Sequence, residues 1–429
     1  MADLKLNKDS PMKTIIYINL IISIIFTICY FYQFVYVLVG LFKKGEKFQA
    51  SKNHRYAVVV SARNEGKVIG NLIESIKKQS YPTELTDIYV VADNCTDDTV
   101  LVAQNAGATV YERNDKNRIG KGYALNWLFK IIEKNHSDKK YEAYLVFDAD
   151  NIVSAEFIEE INKVFDNGYK IVTSYRNSKN YGQNWITAGY SLWFLREAKF
   201  LNNARMKLGT SCAISGTGFL VSTEIIRENG GWIHHLLTED IEFTTHSIIN
   251  GEKVGYCEKA ILYDEQPTTF HQSYLQRLRW SKGFYQVLLG YGKKLIKGIF
   301  KGSFSCYDMA MTLIPAMLLT LISTAINVIA IPVGVVTCSA YLPVLLETLG
   351  QTILSFYTIF FALGMITTIT EWKQIHCSSF KKIMYTFTFP LFMFTYVPIS
   401  IIALFKKVKW EPITHSVSKR ISDICEERG

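Results

Sequence analysis

Residues 14–42 (TIIYINLIISIIFTICYFYQFVYVLVGLF) run for 29 positions without a charged side chain. A run of that length is at odds with an ordinary soluble globule. Its backbone polar groups can be satisfied in hydrocarbon only by pairing with one another along a helix. About 20 apolar residues suffice to cross a bilayer. Residues 309–346 carry no charge either, Glu347 is the single one before Glu371, and residues 383–405 are again uncharged. The pattern predicts four spans, one N-terminal and three C-terminal, with the middle pair divided near Val336 to Pro343. The first run is too long for a signal-peptide core and lacks a small-residue cleavage pattern, so it is expected to remain as an anchor.

Lys43, Lys44, Lys47, Lys52 and Arg55 follow the first run directly, which places that end on the cytoplasmic side. Lys373, Lys381 and Lys382 put the loop Glu371 to Lys382 on the same side, and the uncharged link at 336–343 fits the outside. Counting spans then sends the tail after Phe405 outward, whereas its KKVK, Lys419 and Arg420 pull it inward. Two resolutions stand: the charge rule fails here, or 383–405, with Pro390 and Pro398, is re-entrant or interfacial. The net charge of +9 requires no nucleic acid, because basic residues flanking the spans face anionic lipid, and no zinc-finger or RNA-binding signature occurs. The 8 cysteines show neither CxxC nor CxxH spacing, which points to free buried thiols in a reducing compartment.

Between the first and second runs, residues 43–306 mix charges of both signs. Val58, Val59 and Val60 form a continuous apolar strand, as in parallel sheets covered on both faces. Val68, Ile69, Leu72, Ile73 and Ile76 then recur at helical spacing. TDIYVVADN, ATVYER and EAYLVFDADN repeat the strand signal, separated by the helical TDDTVLVAQNAG and GYALNWLFKIIEK. This alternation predicts an α/β domain with a mainly parallel sheet. Ligands of such sheets sit beyond the carboxyl ends of the strands. Ala62 to Glu65, Asp93 with Asn94, and Asp148 to Asp150 all fall at such ends and should line one crevice.

Asp148 and Asp150 follow the buried-type strand YLVF. Carboxylates placed there are costly unless a cation compensates. Mg²⁺ or Mn²⁺ takes one or two carboxylates and completes its shell with phosphate oxygens and water. The plainer reading makes the aspartate an N-cap for SAEFIEEINKVF; the strand context favours the cation. Asp93 is placed to accept hydrogen bonds from a base or ribose, while Thr96, Asp97 and Asp98 start a helix. Lys121, between two glycines at a helix start, suits an anionic phosphate, although Gly-Lys-Gly is also an ordinary surface loop. No Walker A pattern is present, which excludes a P-loop NTPase. The small residues Ser215 to Gly218 let a backbone approach a ligand closely or make a tight turn. In HHLLTEDIEF, Thr238 is expected to cap a helix whose first turn holds Glu239 and Asp240. One of these carboxylates can serve as a general base. The nearby His234 and His235 are more simply surface or core residues.

VVVSARNE, VADNCTDDT, FDADN, LLTEDIEF and QRLRW, in this order, resemble the membrane-embedded family 2 glycosyltransferases: cellulose, hyaluronan, chitin and poly-N-acetylglucosamine synthases. The resemblance covers about residues 55–300 and the flanking spans. It implies a GT-A fold, Rossmann-like with a mainly parallel sheet, forming a cytosolic domain joined to an α-helical transmembrane region. It also implies a UDP-sugar donor and Mg²⁺ or Mn²⁺. By match, Ala62, Arg63, Glu65 and Asp93 would surround the uridine and Lys121 would approach the diphosphate. Asp148 and Asp150 form the Asp-x-Asp motif, with Asp150 the direct metal ligand. Asp240 would be the catalytic base and Glu239 would face the acceptor. Gln276 and Arg279 would bind the diphosphate, and Trp280 would stack under the acceptor sugar. The chemistry agrees: a diphosphate leaving group needs guanidinium and metal, and an aromatic ring suits the apolar face of a sugar. The tail KWEPITH (409–415) resembles the tryptophan-containing gating segment of some synthases, which would have to be cytosolic. Against the family pattern, the spans are fewer than in many synthases and no PilZ-like domain is present.

The expected organisation is an N-terminal tail (1–13), a transmembrane helix (14–42) and the GT-A domain (43–272). A QxxRW motif with amphipathic interfacial helices (273–306), three hydrophobic membrane segments (307–405) and a basic tail (406–429) follow. The expected activity is processive, inverting β-glycosyl transfer of glucose or N-acetylglucosamine from a UDP-sugar to a growing polysaccharide at the cytoplasmic face of the cell membrane. Its alternatives are single transfer to a lipid acceptor, giving a glycolipid, and a catalytically silent scaffold. Membrane lipid is the expected surroundings, nucleic acid is not a partner, and a four-span pore calls for a second copy or another subunit.

Overall fold

The computed structural model describes residues 11–314, 322, 325, 326, 342–413, 415 and 417–426. Most of the second expected span therefore lies outside the described residues, as does Cys338. The six cysteines with described side chains are free thiols.

Eight strands form one sheet: β1 (Tyr56–Ala62), β2 (Thr86–Asp93), β3 (Thr109–Arg113), β4 (Ala143–Asp148), β5 (Ile152–Val153), β6 (Ile171–Ser178), β7 (Phe219–Ser222) and β8 (Val254–Asp264). Their order is β3-β2-β1-β4-β7-β6-β8-β5. β3, β2, β1 and β4 are parallel, as are β6 and β8. β7 enters antiparallel between β4 and β6, and β5 lies antiparallel on the edge of β8.

The valine run of β1 explains the layering, because successive side chains leave a strand on opposite faces. Val58 and Val60 pack with Ile69, Leu72, Ile73 and Ile76 of the helix Ile69–Lys77 and with Phe157, Ile158 and Ile161 of a helix at Phe157–Asp166. Ala57 and Val59 pack on the other face with Leu125, Leu128 and Phe129. All three valines are 0% exposed. Each contributes about 1.5–3 kcal/mol of burial energy.

Among the described residues, three helices are long and apolar enough to cross a membrane: Tyr17–Phe42, Ile353–Thr370 and Ser379–Phe405. The first is tied to the domain through Asp308, which is 2% exposed. Arg205 donates to it from Nε (2.7 Å) and Nη2 (2.9 Å), and the Tyr32 and Tyr36 hydroxyls donate at 2.9 and 2.8 Å. A carboxylate so deeply buried is tolerable because donors surround it.

Ser379–Phe405 is two helices that meet at Thr395. It runs along the sheet domain instead of departing from it. Lys381 donates to the Gly182 carbonyl at 2.8 Å, Phe392 lies on Tyr190 with ring centroids 4.9 Å apart, and Lys282 reaches the Ala403 carbonyl at 3.1 Å. QRLRW and the amphipathic stretch after it belong to one 31-residue helix, Phe270–Phe300, started by the Thr269 hydroxyl accepting from Gln272 N. Its far half exposes Leu289 and Phe300 near Lys293, Lys294 and Lys297.

Candidate functional site

β1, β2 and β4 run parallel in register, so Ala62, Asp93 and Asp148 end on one edge of the sheet. After Ala62 the chain turns through Asn64, at φ +58°, whose side chain accepts from Thr96 N at 2.8 Å. That bond joins the loops after β1 and β2 and carries Arg63 and Glu65 to the crevice. Asp93 is buried; its Oδ1 accepts from Arg113 Nη1 (2.5 Å) and Asn94 Nδ2 (3.0 Å). Burial raises its pKa against the pull of the guanidinium. The carboxylate expected to meet a base or ribose is thus already engaged by Arg113, a partner from the end of β3.

Lys121 begins the helix Lys121–Asn135 behind Gly120 at φ +139°. Its Nζ donates to Asp148 Oδ1 at 2.5 Å and to the Gly216 carbonyl at 2.8 Å. Burial works against the ammonium, but Asp148, Glu239 and Asp240 hold its pKa above the usual lysine value. Asp150 is not a helix cap, because β5 intervenes and the next helix starts at Phe157. Its Oδ2 accepts from Glu265 N at 2.9 Å, and Oδ1 has a 3.4 Å contact from Asn151. Burial opposes its ionisation, yet His415 and Lys179 bring its pKa below the usual value.

Asp148 and Asp150 retain lone pairs beyond these bonds. Hard oxygen donors of this kind suit Mg²⁺ or Mn²⁺ sharing its shell with phosphate and water. Among the described residues no three His, Cys, Asp or Glu side chains converge on an all-protein metal cage.

Glu239 and Asp240 open the helix Glu239–Ile249, half-buried. Thr238 stands at the cap position but makes no cap bond, contrary to expectation. Its side chain is pressed against Gly283, where an added Cβ would come within 2.5 Å of Oγ1. Glu242 does the closing instead, accepting from His235 N and Leu236 N at 2.9 Å each. Burial and the neighbouring Asp240 push Glu239 up to about 7, and burial raises Asp240 too.

Gln276, Arg279 and Trp280 share one face of their helix at spacings of three and four. Gln276 Oε1 and Arg279 Nε are buried without a hydrogen-bond partner, an arrangement that asks for a ligand. Trp280 meets Tyr190 and Phe194 edge-on, centroids 5.7 and 6.1 Å apart. Arg277 faces away and is 0% exposed. It donates to Thr395 Oγ1 (2.6 Å) and the Phe392 carbonyl (3.3 Å), holding the break in the last apolar segment.

The tail lies across the crevice. Trp410 stands between Arg63 and Arg279, His415 Nδ1 is 2.8 Å from Glu65 Oε1, and Val417 N donates to Glu265 Oε2 at 2.9 Å. The tail is therefore on the side of the sheet domain, as its basic residues indicate. Arg113, Arg176, Asp264 and Glu265 lie in the crevice without having been singled out in the sequence, and His415 closes the KWEPITH segment that was. Asp264 and Glu265 do follow the rule that found the others, since Asp264 ends β8 and Glu265 comes directly after it.

Residues 54–283 match the model of the glycosyltransferase-like family 2. A β-monoglucosyldiacylglycerol synthase of Synechocystis sp. is 27% identical over 240 residues, 54% of this chain and 48% of the relative. A poly-β-1,6-N-acetyl-D-glucosamine synthase of Staphylococcus aureus is 23% identical over 239 residues, 54% and 55% of the two chains. The chain spans about half the length of the curated relatives it matches. In fold it is similar to a mannosyltransferase from Pyrobaculum calidifontis in complex with GDP-Man and Mn²⁺, with a TM-score of 0.59 at 15% identity over 89% of this chain and 97% of that one. The matched residues reach from the first strand through QRLRW, more than half of the chain; it is a member of glycosyltransferase family 2, an enzyme built on the GT-A fold.

Proposed function

We propose that the protein is an inverting hexosyltransferase that draws on UDP-glucose or UDP-N-acetylglucosamine and extends a β-linked polysaccharide at the cytoplasmic face of the cell membrane. One observation carries the reading. The Asp148–Lys121 pair, the Glu239–Asp240 pair and the Gln276–Arg279–Trp280 face converge on the crevice that the strand ends define.

In this reading Arg63, Glu65 and Asp93, with the backbone at Ala62, surround the nucleoside. Lys121, Gln276 and Arg279 take the diphosphate, whose leaving charge guanidinium and ammonium donors stabilise. Asp148 and Asp150 would hold the divalent ion, which supplies further neutralisation of that leaving group. Asp240 removes the proton of the attacking hydroxyl, its pKa lifted by burial toward working pH. Glu239 faces the acceptor and Trp280 carries its sugar ring. Displacement from the side opposite the diphosphate inverts the anomeric centre.

A second reading places the same chemistry on a lipid hydroxyl, giving a glycolipid. It is favoured by the relatives named β-monoglucosyldiacylglycerol synthase and by the last apolar segment lying beside Trp280's neighbour Tyr190. Labelled UDP-sugar supplied to the full chain in vesicles with Mg²⁺ or Mn²⁺ tests both. High-mass aqueous product supports polymerisation, solvent-extractable product carrying one sugar supports lipid transfer, and neither product rejects both.

A further inference from the structure

The helix that starts at Trp185 does not continue smoothly. After Arg196 it passes through one π-helical turn, Glu197–Asn202, before resuming at Asn203–Leu208. π-Turns are rare and re-aim the residues they carry, frequently at functional sites. Here the turn presents Glu197 one turn beyond Phe194, whose ring meets Trp280 and supports the Arg176 guanidinium at 3.7 Å.

Glu197 is half-buried. Its carboxylate accepts one long hydrogen bond, from Ser215 Oγ at 3.4 Å. The guanidiniums around it are committed elsewhere. Arg176 holds Asp264 and the Ser215 carbonyl, Arg205 holds Asp308, and Arg196 donates to Gln33. Its hydrogen-bond partner Ser215 precedes Gly216, where an added Cβ would lie 3.8 Å from Asp240 Oδ2. A partly desolvated carboxylate without a strong donor is costly. It stands one turn from Phe194, the ring that meets Trp280 edge-on.

We propose that Glu197 is an acceptor-binding, specificity-determining residue, which hydrogen-bonds hydroxyls of an uncharged polyol acceptor and turns away acceptors carrying phosphate. This rests on the sugar-transfer reading of the crevice. Hydroxyls donate to the carboxylate; a phosphate in the same place would meet the negative charge of Glu197, while the guanidiniums of Arg176 and Arg205 are already held by Asp264 and Asp308. The polyol can be the end of a growing polysaccharide or the glycerol or sugar head of a neutral lipid.

The test uses the full chain in nanodiscs with UDP-sugar and three acceptors: a neutral oligosaccharide, a neutral glycerolipid and a polyprenyl phosphate. Transfer to one of the two neutral acceptors and none to the phosphate is expected, and which of the two is used identifies the source. Glu197→Gln should raise KM for that acceptor about tenfold, as loss of a charged hydrogen-bond partner does, with kcat and UDP affinity little changed. Glu197→Asp should recover part of the loss, which a merely structural residue would not do. Equal transfer to polyprenyl phosphate by the native chain, or an unchanged acceptor KM in Glu197→Gln, overturns the proposal while leaving the sugar-transfer reading intact. Absence of UDP binding and of all transfer removes that reading and this proposal with it.

Discussion

The indole of Trp410 is bracketed by two guanidiniums, Arg63 at 5.5 Å and Arg279 at 5.9 Å from the ring centroid. These arginines come from opposite ends of the family-matched region, and both are proposed to hold the donor nucleotide. A cation over an indole face contributes about 0.5–2 kcal/mol. Trp410→Ala should therefore loosen both donor contacts and raise KM for UDP-sugar up to about tenfold. Calorimetric titration with UDP reads the change; unaltered UDP affinity would mean that the stack has no part in donor binding.

His415 is the cation that Glu65 holds at 2.8 Å, close to Asp150. Removing one partner of a buried ion pair costs about 3–5 kcal/mol, enough to free a short segment. His415→Gln should expose residues 409–420 to limited proteolysis while the sheet domain stays intact. Equal protection in the variant would show that the other tail contacts suffice.

Asp240→Asn removes the proposed base and nothing that touches the nucleotide. Transfer should fall by about 10²–10⁴-fold, the usual contribution of a positioned proton acceptor, with UDP binding preserved. Turnover equal to the native enzyme would take the role from Asp240.

The pH profile follows from the same pair. Both acids have pKa values raised above the ordinary carboxylate range of about 4, Glu239 to about 7. The base works only when ionised, so activity should be lost as pH falls through a limb lying above the ordinary carboxylate range. Glu239→Gln removes the neighbouring negative charge and should move the limb to lower pH. A limb at the ordinary value in the native enzyme would contradict the burial of the pair.

Asp308→Asn leaves the Arg205 guanidinium buried without its counter-charge. About 3–5 kcal/mol of destabilisation is expected, measured as a lowered thermal midpoint in detergent. Arg205→Met combined with Asp308→Leu should restore much of it, because both charges are then gone. Equal destabilisation in single and double variants would indicate a packing loss alone.

Much of the architecture was legible in the chain because it is written locally. The unbroken apolar run of Val58 to Val60, helical spacing in Val68 to Ile76, and acids closing apolar strands each need only a few consecutive residues. The parallel order then brings Ala62, Asp93 and Asp148 to one edge. Thr238 was misread because its capping hydroxyl was taken by close packing against Gly283, which no local pattern reveals. The last apolar segment was undecidable for a similar reason: hydropathy gives length and not depth, and what holds it along the domain is Arg277, donating at 2.6 Å to a hydroxyl 118 positions away.

The sequence by itself determined the long apolar segments, the α/β class and the acids that close the parallel strands, since these follow from nearest-neighbour chemistry. Only the tertiary structure decided how the charges are matched. Lys121 pairs with Asp148 across 27 positions, Arg113 with Asp93 across 20, and His415 with Glu65 across 350. Glu197 is aimed by a π-turn that its side chains do not announce. Charge pairing in a low-dielectric crevice depends on distances of a few ångströms, and those are set by the packing of the whole fold.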